Sequence, residues 1–357
     1  MKKIIIDPRS NYTYGSFYFY GLEYLVGKKN ISYDIKPFKE LGDLGNDVRF
    51  IVCSDIYKQK KYFIHTNDPY QLNEENYNWC DIYGCVNANF THYPKDEYTK
   101  LVSLAPSFGI RKDASLVHVL MEAFGQFLYC WHDVLNKSEW NKYTQKEECN
   151  KVRNIKHYFT RRIKVYRDRL PLSKYENKNK SKDNYVFFLS TLWYNNEWNK
   201  NDEGVNLRRA HFIRACKKYL GDNFEGGLLG DTYSSNAIFE DVFVTQRETF
   251  ASWIEKTKQS ALVFNTPAFW DCHGWKLGEY LAMGKCIIST KLFNDLPHPL
   301  EHGVNIHFVD STEDSMKEAI EYILLHPEYR HKLEVGAREY WYKYGTPEAS
   351  LKLLNIK

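Results

Sequence analysis

The stretch Asp271–Thr290, DCHGWKLGEYLAMGKCIIST, decides how this chain is read. Just ahead of it, Ala261–Asn265 (ALVFN) is a short apolar run that reads as a buried strand, and Thr266-Pro267 turns it into a loop. The loop carries Asp271, Cys272, His273 and Gly274, and apolar residues then recur at helical spacing from Trp275 to Met283. Gly284 suits the left-handed residue that ends a helix. Cys286–Ser289 (CIIS) is the next strand. A loop running from a strand into a helix mouth binds phosphate, because backbone N–H groups and the positive helix end face the ligand. Gly274 would let a phosphate approach the backbone closely.

Within that helix, Leu277 and Leu281 are four apart and face the core. Glu279 lies about 200° around from Leu277, so it faces away with Lys276 and Met283. A carboxylate there offers two acceptors to vicinal hydroxyls such as those of a ribose. Lys276 suits a diphosphate, and Asp271, eight residues before Glu279, offers a second carboxylate from the loop. Each residue also has a plainer reading: an exposed helix glutamate, a solvated lysine, a helix-start aspartate, a capping histidine. Taken singly the plainer readings are the commoner ones; gathered on one strand, loop and helix, the ligand reading outweighs them.

The same rhythm extends outward. Tyr185–Leu192 (YVFFLSTL) reads as a strand, and Asn206–Leu220 as a helix with Leu207, Ala210, Ile213 and Cys216 on one side. Asn305–Val309 is another strand. A helix follows with Met316, Ala319, Ile320, Ile323 and Leu324 in register, capped by Ser311 or Thr312. In the first half, Ile4–Ile6, Arg49–Cys53, Tyr62–His65 and Leu101–Leu104 suit buried parallel strands, and Leu116–Trp131 is a longer apolar helix. Ser173–Asp183 is polar and aperiodic, and is the best linker. With 357 residues the chain is long for one core. The expected fold is α/β, with two doubly wound, Rossmann-like domains facing a cleft. The boundaries are 1–175, 184–344 and a C-terminal helix over 345–357.

Composition excludes other classes. No apolar run approaches the roughly 18 residues that span a bilayer, and Ile4–Ile6 is too short for a signal-peptide core, so a cytoplasmic location is expected. The eight cysteines form no CxxC pair and read as reduced, mostly buried thiols. The net charge of +4 says little, but residues 150–183 hold twelve Lys/Arg against three Asp/Glu. With Ile155, Phe159, Ile163, Tyr166 and Leu170 at helical spacing, that stretch reads first as the last helix of a domain, apolar side inward. Its second reading is a helix on an anionic membrane surface. It carries no nucleic-acid motif.

The C-terminal half resembles glycosyltransferases of the GT-B fold, of the large group 1 or family 4 class. Members carry Glu-x7-Glu, a small-residue helix, Gly, and a strand ending in Ser or Thr. This chain reads Asp271-x7-Glu279, then Tyr280 to Thr290. The likeness continues through Asn294-Asp295-Leu296-Pro297 and His302 to Ile306, up to the Arg338–Tyr344 helix. It covers about 185–344 and is similar to bacterial enzymes that assemble capsular or lipopolysaccharide sugars. The resemblance implies that Glu279 holds the donor ribose, and that Asp271, one methylene shorter than the usual Glu, contacts the transferred sugar. It puts His273 and Gly274 near the diphosphate or sugar. The family's Arg…Lys pair on the diphosphate has no familiar counterpart; Arg208 and Arg209 stand in its place, Arg209 preferred. Gly15 matches, by position in the loop after the first strand, a residue that approaches the donor phosphate. The C-terminal helix is expected to cross back to the first domain.

The implied activity moves a sugar from a UDP- or GDP-linked donor to a glycan or lipid-linked acceptor, with retention and no catalytic residue singled out. The DxD pattern of metal-dependent transferases is absent, so neither metal nor cofactor is expected. His65 and His118 are weaker candidates for sugar contacts. Two rivals are a nucleotide-sugar epimerase or hydrolase on the same fold and a non-catalytic glycan-binding protein.

Overall fold

The computed structural model describes residues 2–54, 58–141, 146–177, 180–193, 203–230 and 237–356. They form two compact units. One comprises residues 1–67, 71–172 and 347–357; the other comprises 68–70 and 173–346.

The first unit runs β1 (Lys3–Ile6), α1 (Tyr12–Val26), β2 (Ile31–Tyr33), β3 (Val48–Cys53), β4 (Gln59–His65), α2 (Glu74–Trp79), β5 (Ile82–Cys85) and β6 (Leu101–Ser103). There follow α3 (Leu116–Asn136), the hairpin strands β7 (Ser138–Asn141) and β8 (Lys146–Cys149), and α4 (Lys151–Asp168). Six strands make one sheet in the order β2-β1-β3-β4-β5-β6. The expectation of parallel strands fails at β3, which is antiparallel to both β1 and β4. Only residues 54–58 separate β3 from β4. A link that short joins antiparallel strands, whereas a parallel pair needs a crossover of about a dozen residues or more. The remaining pairs of this sheet are parallel, and Phe17, Phe50, Phe63 and Tyr83 are buried within the unit.

The second unit contains β9 (Val186–Thr191), α5 (Glu203–Leu220), β10 (Phe224–Leu229), β11 (Phe243–Val244), α6 (Phe250–Gln259), β12 (Val263–Asn265), α7 (Trp275–Ala282), β13 (Ile287–Ser289), β14 (His307–Phe308), α8 (Glu313–Leu325) and α9 (Pro327–Tyr340). Its strands pair as β11-β10-β9 and β12-β13-β14, all parallel. β9 and β12 lie side by side, and the Ala261 N–H donates to the Tyr185 carbonyl at their near ends. Counted from β9, the order is 3-2-1-4-5-6, the doubly wound arrangement with its reversal between β9 and β12. Chains that leave two such strands in opposite directions open a crevice at their carboxyl ends. The architecture is therefore α/β with Rossmann-like layering in both units, one strand of the first sheet being reversed.

The core of the second unit interleaves Phe188, Phe212 and Phe264 with Ile213, Ile288, Ile320 and Leu333. Three of the four residues expected on the inner side of α5 are buried, Ala210, Ile213 and Cys216, while Leu207 is exposed. Thr312 caps α8, accepting the Ser315 N–H at 3.2 Å. Gly284 follows α7 at φ +59°, and a Cβ there would stand 2.7 Å from Arg338 Nε. The chain ends in α10 (Pro347–Leu353), which packs on α1 of the first unit. Gly21 permits that contact, since a Cβ on it would meet Leu351 and Pro347 at 2.9 Å.

The basic helix departs from its first reading. Phe159, Ile163 and Tyr166 of α4 are only half-buried and Ile155 is exposed, while Asn154, Arg162 and Val165 are buried. The helix turns a partly polar ridge inward because Arg162 finds Gln126 Oε1 at 2.7 Å and the Tyr158 hydroxyl at 2.9 Å. Of the expected linker, residues 178 and 179 lie outside those described.

Candidate functional site

Three elements meet at the carboxyl end of β9. Lys276, in the first turn of α7, donates from Nζ to the Leu189 carbonyl at 2.7 Å. Its ammonium also lies 4.8 Å from the centre of the Phe188 ring. Arg209 of α5 donates to the Thr191 carbonyl at 3.0 Å. Glu279, one turn further along α7, is only 3% exposed. The sequence put Glu279 on an outward face; here every residue from Leu277 to Ala282 is buried. From Leu277 onward α7 is enclosed, and the Glu279 carboxylate lies inside near a buried Arg209 and a half-buried Lys276.

The electrostatics of this trio are unbalanced. Burial lowers the Lys276 pKa, the Arg209 charge lowers it further, and Glu279 restores only part, leaving it at about 7. An anion placed beside it would favour its charged form. Arg208, the neighbour of Arg209, is half-buried on the same helix.

The approach to α7 is a tight loop. Trp270 and Asp271 both hold positive φ, at 57° and 55°. Two consecutive non-glycine residues in that region store on the order of 1–3 kcal/mol each, a cost found mostly at functional loops. Asp271 is exposed, and its carbonyl accepts from Asn294 Nδ2 at 3.1 Å. Gly274 is the N-cap of α7, with no side chain capping the helix. Its backbone is ordinary and extended, and a Cβ there would touch only Ala268 Cβ at 3.9 Å. Its value is thus open space at a helix mouth rather than conformational freedom. His273 is buried, and burial drops its pKa to about 4 against a modest opposing contact with the Asn294 backbone. At neutral pH it is an uncharged imidazole. Cys272 is buried against the Asp68 carboxyl, and burial with that neighbour raises the thiol's pKa.

Other nominated residues fall elsewhere. Gly15 is not in a loop but in the first turns of α1. It is buried there, and a Cβ would strike Phe19 at 2.8 Å and Val48 at 3.0 Å. The helix starts early because Asn11 caps it, accepting the Thr13 and Tyr14 N–H groups; the glycine serves packing. His65 closes β4 with Nδ1 3.0 Å from Asp47 Oδ2. His118 sits 3.0 Å from the Ser115 hydroxyl at the start of α3. Both belong to the first unit.

Sequence reasoning passed over several residues at the mouth. Trp193, just past β9, is 45% exposed and meets Phe269 edge-on at 4.8 Å. Asn206 fixes its backbone from both sides, at 3.2 and 2.9 Å. Trp270 beside it is half exposed. Tryptophans following a strand end in a doubly wound unit were the available signal. Lys285, inside the motif, is fully buried and donates to Ser181 Oγ and the Lys258 and Ser260 carbonyls. It pins three segments and has no ligand to meet. A cavity of about 490 Å³ beyond β13 and β14 is lined by Asn294, Asp295, Phe308 and Asp310, and does not reach Arg209, Lys276 or Glu279. Among the described residues no cluster of His, Cys, Asp and Glu could hold a metal ion, and no helix is long and apolar enough to cross a membrane.

No protein-family model matches the chain, and no curated protein does. Solved structures do. One is the C-terminal domain of a group 1 glycosyl transferase, LpcC, from Francisella tularensis, at 12% identity over 48% of this chain and 96% of that one, TM-score 0.33. A glycosyltransferase from Rickettsia africae aligns at 10% identity over 79% and 66%, TM-score 0.38. Anabaena HepE in complex with UDP-glucose aligns at 11% over 77% and 90%, TM-score 0.35. These distant likenesses assign nothing to the chain; the parallel strand order with its reversal between β9 and β12, and the cations at that reversal, stand on the structure itself.

Proposed function

We propose that this chain is a glycosyltransferase that takes a sugar from a nucleotide-sugar donor bound at the carboxyl end of β9. The observation that carries the reading is the meeting of Arg209, Lys276 and Glu279 there, beside a helix mouth that no side chain caps. Arg209 and Lys276 hold the donor diphosphate, with Arg208 beside them, and Gly274 gives the phosphate room against the α7 N–H groups. Glu279 accepts from the ribose hydroxyls. Asp271 and His273 lie toward the transferred sugar.

Sugar transfer breaks the bond from the anomeric carbon to the diphosphate, which departs with the electron pair, and forms a bond to an acceptor oxygen. The transition state gains charge on the leaving group, so preorganised cations accelerate the step. Lys276, protonated once the diphosphate is bound, meets that charge as a cation, and the acceptor hydroxyl gives its proton to the departing diphosphate oxygen. The reaction proposed is retaining and metal-independent, with a UDP- or GDP-linked donor. The acceptor is a glycan or lipid-linked glycan of bacterial surface polysaccharide synthesis, met by the first unit. There, a cavity of about 530 Å³ beyond β1 is lined by Arg9, Asn11, Tyr12, Tyr158 and Arg161, a mixture of hydrogen-bonding and aromatic groups suited to sugar rings. The basic 150–183 stretch would bring the protein to an anionic membrane surface on the inner face of the cell membrane.

The test is a thermal-shift panel of UDP, GDP, ADP and CMP, followed by nucleotide release from the matching sugar donor with and without acceptor. A shift that Glu279→Ala abolishes, together with acceptor-dependent release, supports the transferase. Release without acceptor points to a hydrolase. Glycan binding with no nucleotide shift replaces the reading with a glycan-binding protein.

A further inference from the structure

The helix α3 presents an apolar face to solvent along most of its length. Val117 is 65% exposed, Met121 67%, Phe124 57% and Leu128 58%, with Leu120 and Trp131 exposed beside them. At 100° per residue the side chains from Val117 to Leu128 span an arc of about 100°, and no charged residue falls within it. The opposite side, Val119, Ala123, Gln126 and Cys130, is buried in the first unit. A surface helix ordinarily carries its charges outward, and a contiguous apolar face of this extent marks an interaction surface.

The neighbouring helix supplies the charge. α4 packs along α3, joined through Phe127 against Tyr158 and Phe159 at 5.5 and 5.6 Å. Its half-buried stripe, Phe159, Ile163 and Tyr166, continues the apolar surface, and Val152 is 77% exposed at its start. Lys151, Lys156, Arg161, Lys164 and Arg167 are exposed on the remainder, with Asp168 as the helix's one acid.

We propose that α3 inserts its apolar face into the headgroup region of a bilayer carrying anionic lipids, with the basic row of α4 on the lipid phosphates. This deepens the membrane element of the function proposed above and rests on it for the reason to dock, while the surface is observed independently. An apolar face flanked by lysines and arginines is the composition of helices that lie in the membrane interface. A second copy of the chain fits less well, because a twofold contact through α3 would bring two basic helices together.

The test uses the full chain with vesicles of phosphatidylcholine, with or without about one third phosphatidylglycerol. Co-sedimentation is expected with the anionic vesicles and is weakened by salt. Met121→Glu with Leu128→Glu lowers the partition coefficient by about tenfold or more, while the UDP thermal shift stays unchanged. Val117→Ser with Phe124→Ser, a milder pair, lowers it in the same direction if the acidic pair impairs folding. Lys156→Glu with Lys164→Glu removes the preference for anionic lipid. No binding to anionic vesicles, or binding unchanged in both α3 pairs, overturns the proposal. So does a dimer in ultracentrifugation that the α3 substitutions dissolve. Vesicle binding with no nucleotide shift would overturn the transferase reading alone.

Discussion

Two lysines, one in each unit, lie partly or wholly inside the protein and are treated in opposite ways. Lys112 of the first unit has a fully buried ammonium flanked by Glu23 at 2.8 Å, Glu122 at 2.9 Å and Asp113 at 3.4 Å. Burial alone would lower its pKa, but the three acids outweigh burial and raise it. Lys276 of the second unit faces a carbonyl, an arginine and one carboxylate, and burial with Arg209 lowers it to about 7. The first charge is neutralised by its own chain and serves structure. Among the described residues the second meets one carboxylate and one arginine, the kind of uneven charge setting that is commoner at functional sites than elsewhere.

Removing the balanced lysine should do most damage. Lys112→Met takes the cation from Glu23 and, among the described residues, leaves Glu122 and Asp113 to Lys28 alone, and is expected to cost about 3 kcal/mol, read as a lower urea midpoint. UDP affinity, measured below the transition, should be untouched; a loss of affinity would break the contrast between the units. Next in size, Lys276→Met or Arg209→Ala should weaken UDP binding by about 2–3 kcal/mol, some 30–150-fold, by removing a charge-assisted contact. Calorimetric titration checks this, and wild-type affinity in either variant would end the assignment of the diphosphate site.

Third, the pH dependence has a definite sign. A bound diphosphate raises the Lys276 pKa above its free value of about 7. Binding therefore takes up a proton at pH 7–8, and affinity falls as pH rises, by up to about tenfold per unit. Titrations in buffers of different ionisation enthalpy should show that uptake, and Lys276→Met should abolish it. The smallest effect concerns stability. With its folded-state pKa depressed, Lys276 binds fewer protons folded than unfolded between about pH 7 and the ordinary lysine range, so its contribution to stability improves as pH rises across that window. Lys276→Met should raise Tm at pH 7 by roughly 2–4 °C; a fall would mean that its bond to Leu189 outweighs the cost of burial.

The stretch Asp271–Thr290 was legible because local rules coincide there: strand, loop, helix and left-handed glycine follow within a short span, each with its own residue signature. The α7 helix, with Lys276 and Glu279 on it, came from spacing; of the two arginines on α5, Arg209 is the more buried. Gly15 was misplaced because a helix start depends on one capping side chain, Asn11, easily overlooked beside a loop-forming glycine. The reversed β3 was readable from its short link to β4, since chain length alone forbids a parallel crossover. The burial of Glu279 was not readable: periodicity orients a side chain about its helix axis but does not say what stands opposite.

The sequence by itself determined the alternation of strands and helices, the helix mouth at Gly274 and the supply of apolar and basic residues, because these depend on nearest neighbours along the chain. The tertiary structure alone decided which charges are balanced and which apolar faces stay uncovered. Lys112 meets Glu23 across 89 residues, Lys276 meets Leu189 across 87, and α3 keeps its apolar arc in water. Electrostatic balance and burial depend on distances in space, and those exist only once the chain has closed.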